Sequence, residues 1–232
     1  MTTAQILSRA RQEKRKVLTE IEAKSILGES GITCTPTVLA TSREKAVSTS
    51  EEFGYPVVLK VSSVDISHKS DAGGVKVGLK NRAEVEAAYD AIMTSCRAYA
   101  PGADIEGVSV QPMARPGTEV IMGMTRDKSF GPVVMFGLGG VFVEVLKDVA
   151  FRIVPIDGND AAEMIDGIQG KKLLEGYRGK ETADKARLQE MLVQLSAFVD
   201  ATPGIEEIDM NPVFAYSDGA MVVDARIILS EE

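Results

Sequence analysis

The sequence predicts an α+β chain folded into two lobes, and three observations support this prediction. In the first part of the chain, short β-branched segments alternate with segments whose apolar residues recur at helical spacing. The second part contains a run of strand-like segments, then two helical segments, then two strand-like segments separated by a turn. A connection that contains Pro and Gly, residues 111–117, lies between the two parts and is predicted to be a hinge.

The elements of the first part follow from spacing and from capping residues. Apolar residues recur at helical spacing after Leu18, and Gly31 can end that helix. A capping-box pattern at 41–44 begins the next helix, which ends at Gly54, and Asn81 caps the one after it. The predicted helices are 18–31, 41–54 and 81–99, and the predicted strands are 38–40, 57–61, 75–79 and 108–113.

The elements of the second part end in a hairpin. Strands are predicted at 119–124, 132–136 and 151–154, and two helices follow, the second over 182–201. The segments 205–214 and 221–228 then form a closing hairpin across Ser217-Asp218-Gly219.

Composition argues against several classes of protein. A net charge of −8 over 232 residues is atypical of a general nucleic-acid binder, which normally presents a basic surface. Cys34 and Cys96 lie far apart without metal-ligand spacing, so no disulfide framework is predicted. The N-terminus lacks the apolar core of a signal peptide, and the apolar tract 130–146 is broken by Pro132 and several glycines. We therefore predict a cytoplasmic protein that binds neither nucleic acid nor membrane.

The first candidate site lies in the loop after the strand that ends near Lys60. The loop holds Lys69, Gly73-Gly74 and the single histidine of the chain, His68. A Gly-containing loop lets backbone N–H groups approach an anion, and the lysines add positive charge, so the pattern predicts phosphate binding. Imidazole can also accept a phosphoryl group near neutral pH. The simpler alternatives are a lysine that extends to water, a hairpin turn and a solvated histidine, and the residues alone favour the last of these for His68.

The second candidate site lies on the closing hairpin. Alternation along its first strand places Glu207, Asp209 and Asn211 on one face, with Ile208 and Met210 on the other. Three polar side chains on one face of a strand predict either a binding surface or a solvent-facing stripe.

The return strand is predicted to complete a metal site. Asp224 and Arg226 share one of its faces, and a turn centred on Asp218-Gly219 would put Arg226 opposite Asn211. Asp224 would then lie diagonal to Asn211. Diagonal side chains lie about 7–8 Å apart, which allows Asn211 and Asp224 to hold one Mg²⁺ ion. Without further context, the solvent-facing stripe is the interpretation that these residues favour.

Two further features follow the predicted hinge. Glu119 lies on a strand where a carboxylate could meet a ribose or a metal ion. The Gly-rich segment 137–140, with Glu144, Asp148 and Arg152, is predicted to form a second loop over a cleft between the lobes. The alternative for this segment is a flexible connection between strands.

Four of these features, taken together, resemble one known family. They are Lys60, the loop HKSDAGGVK at 68–76, the tract FGLGGVFVE at 136–144, and the segment IDMNP at 208–212. In this order, and over nearly the whole chain, they resemble the ATP-grasp subunit of ADP-forming acyl-CoA synthetases, the acetate–CoA ligases related to succinyl-CoA synthetase. The length resembles the free-standing β subunit rather than the fused single-chain version.

The resemblance implies an ATP-grasp fold with lobes 1–112 and 113–232 and the nucleotide in the cleft between them. It implies the reversible reaction acyl-CoA + ADP + phosphate = carboxylate + ATP + CoA, with Mg²⁺ as the cofactor. A partner α subunit would carry the CoA-binding and ligase domains, form the acyl phosphate, and pass the phosphoryl group through its own histidine on a mobile segment. The expected assembly is α2β2.

The resemblance also implies roles for individual residues. His68 matches a second phosphohistidine that acetate-type enzymes have and succinyl-CoA synthetases lack, and Asp209 would orient and stabilise a phosphohistidine. Asn211 and Asp224 match the Mg²⁺ ligands. The residues expected at the nucleotide are Lys60, Lys69, Ser70, Gly73, Gly74, Gln111, Pro112, Met113 and Glu119.

Two alternative functions are also considered. An ATP-grasp carboxylate–amine ligase would act alone through a free acyl phosphate and would not need His68. A non-catalytic nucleotide-binding regulatory subunit would bind ATP without being phosphorylated. Phosphorylation of His68 therefore distinguishes the main interpretation from both.

Overall fold

The computed structural model describes residues 1–66, 68–140, 148–177 and 181–230. Contacts between Cα atoms divide the chain into two compact units. The larger unit comprises Met1–Leu18, Glu22–Cys34 and Pro116–Glu232, and the smaller unit comprises Thr19–Ile21 and Thr35–Arg115. Each unit combines helices with an antiparallel sheet, in agreement with the α+β prediction.

Helices and strands are numbered in chain order. The helices are α1 (Thr3–Gln12), α2 (Glu20–Glu29), α3 (Arg43–Phe53), α4 (Arg82–Tyr99), α5 (Gly158–Gly167) and α6 (Lys185–Ala201). The strands are β1 (Val38–Ala40), β2 (Val57–Ser62), β3 (Val75–Leu79), β4 (Gly107–Pro112), β5 (Thr118–Asp127), β6 (Gly131–Leu138), β7 (Val149–Ile153), β8 (Ile205–Tyr216), β9 (Gly219–Val222) and β10 (Ala225–Leu229). A 3₁₀ turn, Gln169–Leu173, follows α5.

Side-chain caps define two of the predicted helix starts. The Ser42 hydroxyl accepts a hydrogen bond from the backbone N–H of Lys45 at the start of α3. The Asn81 side chain does the same for Glu84 at the start of α4. These caps satisfy N–H groups that have no partner within the helix, so α4 begins after its predicted cap, whereas α3 is capped by Ser42, one residue later than the capping box at 41–44 predicts.

The smaller unit is built on a four-stranded sheet with the strand order β1-β4-β2-β3. Every residue of β2 is buried, because this strand lies between β4 and β3 and its apolar residues enter a core with α3 and α4. Leu59 of β2, Ile92 of α4 and Val110 of β4 belong to that core. A polar residue on β2 is therefore buried whichever way it points, and this sets the environment of Lys60.

The larger unit is built on a six-stranded sheet. Five strands follow the order β10-β8-β5-β6-β7, and β9 pairs with the far part of β8. Phe136 of β6, Leu192 of α6 and Ile208 of β8 belong to its core. The long strand β8 pairs with β5, β9 and β10, so it is the centre of this sheet and carries the second candidate site.

The predicted boundary after residue 112 differs from the observed one. Residues 1–18 and 22–34 belong to the larger unit, although the sequence assigns them to the first lobe. Ile6 of α1 and Ile26 of α2 are buried in the core of the larger unit. An amphipathic pattern shows that a helix has an apolar face but does not show which core that face enters.

The predicted register of the closing hairpin is wrong. Arg226 lies opposite Asp209 and not opposite Asn211, because Ser217 and Asp218 alone form the turn. The backbone N–H of Asn211 donates to the carbonyl of Asp224 at 3.2 Å, so these two residues lie directly across from each other rather than diagonally. In the observed register, the two predicted metal ligands lie closer together than in the predicted diagonal arrangement.

Both cysteines of the chain lie within the described residues. Cys34 is half-buried and Cys96 is buried, and both are free thiols. Burial raises the pKa of the Cys34 thiol to about 11, so it is not activated as a nucleophile.

Within the described ranges, no helix has the length and apolar character needed to cross a membrane.

Candidate functional site

Lys60 is a buried cation on a central strand. Its side chain is 6% exposed, and its Nζ lies 2.7 Å from Oε1 of Glu20. A buried lysine is stable when a carboxylate compensates its charge, so the alternative of a lysine extending to water is wrong. Lys60 and its carboxylate partner form the base of the first candidate site.

Glu20 also binds Lys69. The Nζ of Lys69 lies 2.7 Å from the second carboxylate oxygen of Glu20, whose side chain is 4% exposed. One buried carboxylate thus holds two ammonium groups. Sequence reasoning missed Glu20, because nothing in a glutamate at the start of a helix indicates lysines 40 and 49 residues away.

The loop that carries His68 is closed by its own backbone. The N–H of Ala72 donates to the carbonyl of His68 at 3.3 Å, and the N–H of Gly74 donates to the carbonyl of Lys69 at 2.7 Å. Gly73 has a φ of +67°, a conformation that favours glycine. His68 and Ser70 are exposed, while Ser67 lies outside the described residues. The predicted loop therefore presents His68 to solvent beside the anchored Lys69.

Gly74 leaves no room for a side chain. A Cβ at this position would lie 2.6 Å from Cγ1 of Val61, 2.9 Å from the carbonyl oxygen of Lys69 and 3.0 Å from Sγ of Cys96. The loop can approach β2 this closely because residue 74 is glycine.

Gly74→Ala is expected to lower the free energy of unfolding by about 1–3 kcal/mol, because its methyl group overpacks three neighbours. Thermal unfolding of the two alanine variants and the wild type measures this effect. Gly102→Ala is the matched control, since a Cβ at Gly102 meets nothing within 4 Å. Equal stability of the two variants would contradict the tight approach at Gly74.

The end of β4 carries the residues predicted to border adenine. Gln111 is buried, and its side-chain oxygen accepts a hydrogen bond from the Thr37 hydroxyl at 3.4 Å. Met113 is 43% exposed, and its backbone N–H donates to the carbonyl of Pro56 at 3.0 Å. Pro112 lies between these two residues in the chain. The end of β4 therefore carries the exposed apolar side chain of Met113 and the buried side-chain amide of Gln111, an arrangement that suits a flat apolar ring with a polar edge.

The second candidate site gathers the carboxylates of Glu207 and Asp209 on β8 with that of Asp224, which lies between β9 and β10. Asp209 is half-buried, and its pKa is raised first by desolvation and then by the nearby carboxylate of Glu207. Arg226, directly across on β10, acts in the opposite direction. A carboxylate with a raised pKa beside a cation accepts hydrogen bonds strongly, which suits the orientation of an imidazole N–H.

The raised pKa of Asp209 makes stability depend on pH. The folded chain binds this proton more tightly than the unfolded chain, so stability falls as pH rises from the ordinary carboxyl value of about 4 through the raised folded value. We expect Asp209→Asn to become more stable relative to the wild type across that window. Unfolding temperatures measured from about pH 4 to pH 8 test this, and a difference that does not change with pH would contradict it.

Asn211 and Asp224 form a pair of oxygen donors. Their backbones are hydrogen-bonded across the hairpin, and a carboxylate and an amide oxygen are ligands that suit Mg²⁺. In the described ranges, no group of three His, Cys, Asp or Glu side chains could hold a metal ion. The pair fits Mg²⁺ nonetheless, because protein sites for this ion commonly supply one or two carboxylates and leave the other positions to water and substrate phosphates.

Glu119 lies against the start of the Gly-rich segment. The N–H of Gly139 donates to the carbonyl of Glu119 at 2.8 Å. A Cβ at Gly140, which has a φ of +63°, would lie 2.9 Å from Oε2 of Glu119. A Cβ at Gly139 would lie 3.1 Å from Cβ of Glu119, so the two glycines make room for the Glu119 side chain, whose functional role stays a prediction.

The other predicted members of this loop are not brought together. Asp148 is buried and accepts hydrogen bonds from the N–H groups of Gln169 and Gly170, each at 2.7 Å, so it caps the 3₁₀ turn. Arg152 pairs with Glu163 at 3.2 Å. Residues 141–147, which include the predicted Glu144, lie outside the described residues. Asp148 and Arg152 thus have structural partners that the sequence did not indicate.

Comparison with known proteins identifies the family. A sequence model of the ATP-grasp domain matches residues 9–229. The chain belongs to the ATP-grasp family. The match extends over nearly the whole chain and confirms the fold that the resemblance implied.

Two relatives of this ATP-grasp chain are named acetate–CoA ligases. The β subunit of acetate–CoA ligase [ADP-forming] I from Pyrococcus furiosus is 48% identical over 225 residues, which cover 97% of this chain and 97% of that subunit. Acetate–CoA ligase [ADP-forming] I from Archaeoglobus fulgidus is 43% identical over 211 residues, which cover 91% of this chain but 31% of that longer protein. The ATP-grasp chain thus has the extent of a β subunit.

Solved structures of one synthetase share the fold. In a complex with coenzyme A, Ca-AMPCP and HgCl⁺, the dinucleotide-forming acetyl-coenzyme A synthetase 1 of Ca. Korarchaeum cryptofilum matches with a TM-score of 0.96 and 46% identity, covering 98% of this chain and 100% of that chain. A second complex of that synthetase contains coenzyme A and Mg-AMPPCP, with its phosphohistidine segment pointing towards the nucleotide-binding site. It matches with a TM-score of 0.87 and 43% identity, covering 98% and 100%.

Proposed function

We propose that this chain is the nucleotide-binding β subunit of an ADP-forming acetate–CoA ligase. It transfers a phosphoryl group between ADP or ATP and histidine during the reaction acyl-CoA + ADP + phosphate = carboxylate + ATP + CoA. The observation that carries the proposal is the match to a β subunit over 97% of both chains, with His68 presented beside the Lys60–Glu20–Lys69 cluster.

The phosphates are assigned to the smaller unit. Lys60 and Lys69 supply positive charge, and the N–H groups of Gly73 and Gly74 donate to the carbonyls of Ser70 and Lys69, so the tight loop holds these residues in position. Phosphoryl transfer depends mainly on charge neutralisation and positioning, and this arrangement provides both. The end of β4, from Gln111 to Met113, is assigned to the adenine ring, and Glu119 to the ribose.

Asn211 and Asp224 are assigned to Mg²⁺. When bound, the ion neutralises phosphate charge and helps to position the transferred group. The facing pair on the hairpin supplies two oxygen donors of the kinds that Mg²⁺ takes in proteins.

His68 is assigned as the phosphoryl acceptor. A neutral imidazole nitrogen attacks the γ-phosphorus of ATP, a nitrogen–phosphorus bond forms, and the bond to the β–γ bridging oxygen breaks to release ADP. The second ring nitrogen keeps its proton, so the phosphorylated ring is positively charged. Asp209 is assigned to accept a hydrogen bond from the N–H of a phosphohistidine and so to orient and stabilise that group. The reverse sequence forms ATP.

A partner α subunit completes the reaction. The proposal rests on the name of the Pyrococcus relative, a β subunit, and on the longer Archaeoglobus relative, of which this chain matches 31%. The α subunit would supply CoA binding and the acyl phosphate step, in an α2β2 assembly.

Reconstitution tests the proposed function. The purified chain is mixed with its co-expressed α subunit, and ATP formation from acetyl-CoA, ADP and phosphate is measured. We expect turnover when both subunits are present and none with either subunit alone. Ligation of an amine by the chain alone would support a stand-alone carboxylate–amine ligase. Nucleotide binding without turnover or phosphorylation, even with α, would support a regulatory subunit. Either result would reject the proposal.

A further inference from the structure

Glu20 is a buried carboxylate beside the candidate site to which the proposed function gives no role. Its two oxygens accept the ammonium groups of Lys60 and Lys69, each at 2.7 Å, and its side chain is 4% exposed. Lys60 belongs to β2, whereas Lys69 follows His68 directly in the chain. One carboxylate therefore ties a central strand to the loop residue next to the proposed phosphoryl acceptor.

We propose that Glu20 is a positioning residue for phosphoryl transfer at His68, an inference that rests on the proposed function. It acts through the two lysines, because it holds Lys69 and hence the adjoining backbone of His68 against β2. A displacement of about 1 Å at a reacting group can slow a reaction about 10²-fold. Loss of the contact that anchors the residue next to His68 is therefore expected to slow phosphoryl transfer.

Backbone hydrogen bonds also anchor Lys69 to β2. The carbonyl of Lys69 accepts the N–H of Gly74 at 2.7 Å, and the carbonyl of Gly74 accepts the N–H of Val61 at 2.7 Å. Lys69 is thus held to β2 through its main chain by way of Gly74 and through its side chain by way of Glu20. His68 itself is exposed and its carbonyl accepts the N–H of Ala72 at 3.3 Å, so the anchoring of Lys69 adds a second restraint on its backbone.

The charge of the cluster is compatible with phosphate binding. In the contacts described for this cluster, two ammonium groups bind one carboxylate. An ammonium group has three N–H donors, so each lysine can donate to Glu20 and to a phosphate oxygen at the same time. Glu20 can therefore stay bound to both lysines while the nucleotide reacts.

Glu22 provides a matched control. It lies on the same helix, its side chain is 8% exposed, and it forms an ion pair with Arg15 at 2.9 Å. It belongs to the larger unit, whereas Glu20 belongs to the smaller one. Glu22→Gln thus removes a similarly buried carboxylate whose described ion pair is with Arg15 rather than with the lysines of the candidate site.

The test compares Glu20→Gln with Glu22→Gln in the complex with the α subunit. Single-turnover formation of phosphohistidine from Mg-ATP gives the transfer rate, titration gives the ATP dissociation constant, and hydrogen–deuterium exchange over residues 68–79 reports the anchoring of the loop. For Glu20→Gln we expect a transfer rate about 10²-fold lower, loop exchange about tenfold faster, and ATP affinity within about threefold of the wild type. Glu22→Gln should match the wild type in all three.

Glu20→Asp separates positioning from folding. It keeps the charge at a shorter reach, so its transfer rate should lie between those of the wild type and Glu20→Gln, and it remains informative if Glu20→Gln does not fold. Equal transfer rates in Glu20→Gln and Glu22→Gln would overturn this inference and leave the proposed function intact. Faster transfer or tighter ATP binding in Glu20→Gln would also overturn it, because Glu20 would then compete with phosphate. Absence of phosphohistidine in the wild type would reject the proposed function and this inference together.

Discussion

His68→Asn is expected to abolish phosphorylation of this chain by Mg-ATP and to lower turnover of the complex at least about 10³-fold. Asparagine cannot form the nitrogen–phosphorus bond, and loss of a covalent carrier removes the route between the nucleotide and the partner subunit. The measurement is transfer of label from γ-labelled ATP, followed as an acid-labile, base-stable phosphate. Because the chain contains a single histidine, phosphohistidine found on it can only be at position 68.

The two subunits are resolved by electrophoresis so that label on each is counted separately. His68→Asn should lose label from this chain and also block the passage of label from ATP to the α subunit. Asp71→Asn is the control, since it changes an exposed residue of the same loop that has no assigned role. Persistent label on the His68→Asn chain, or no label on the wild type with α present, would reject the carrier role.

Lys60→Met has the second largest expected effect, on nucleotide affinity and on stability together. A charged hydrogen bond to phosphate contributes about 1.5–3 kcal/mol, so affinity for ATP should fall about 10–100-fold. The free energy of unfolding should fall by about 3 kcal/mol, because the buried Glu20 carboxylate loses an ammonium group that holds it at 2.7 Å. Calorimetric titration and denaturant unfolding measure the two effects. Lys80→Met, at an exposed lysine, should change stability by less than about 0.5 kcal/mol.

A double variant separates the two effects of Lys60. Glu20→Leu combined with Lys60→Met replaces a buried ion pair by apolar side chains, which is commonly neutral or stabilising, and it leaves Lys69, whose side chain is 20% exposed, to be compensated by solvent. We expect its stability to return to within about 1 kcal/mol of the wild type while nucleotide affinity stays low. Recovery of affinity in the double variant would mean that Lys60 acts on the nucleotide only through stability.

Local sequence patterns were sufficient for most of the secondary structure. The strands Val38–Ala40 and Val75–Leu79 have their predicted bounds, and α4 begins after its predicted Asn81 cap. Alternation and capping depend on residues within a few positions of one another, so they can be recognised without knowing the fold. The loop around His68 and the proposed donors Asn211 and Asp224 were also found as short motifs, and their roles stay predictions.

Register and core assignment needed the tertiary structure. The hairpin was predicted to have Asn211 opposite Arg226, but a turn of only Ser217 and Asp218 places Asp209 there. A turn shifted by one residue changes which residues face each other along the whole hairpin. The sequence was compatible with more than one position of the turn. The N-terminal helices likewise pack into the larger unit because their apolar faces fit its core.

The sequence by itself determined the α+β class, the family resemblance and the loop that presents His68, because each depends on residues that are close together or on motifs in a fixed order. Only the tertiary structure decided that Glu20 meets Lys60 and Lys69, which lie 40 and 49 residues further along the chain. A carboxylate at a helix start can pair with any nearby cation, and its charge does not specify which. The packing of α2, β2 and the loop makes that choice, since burial leaves the carboxylate stable only where cations reach it.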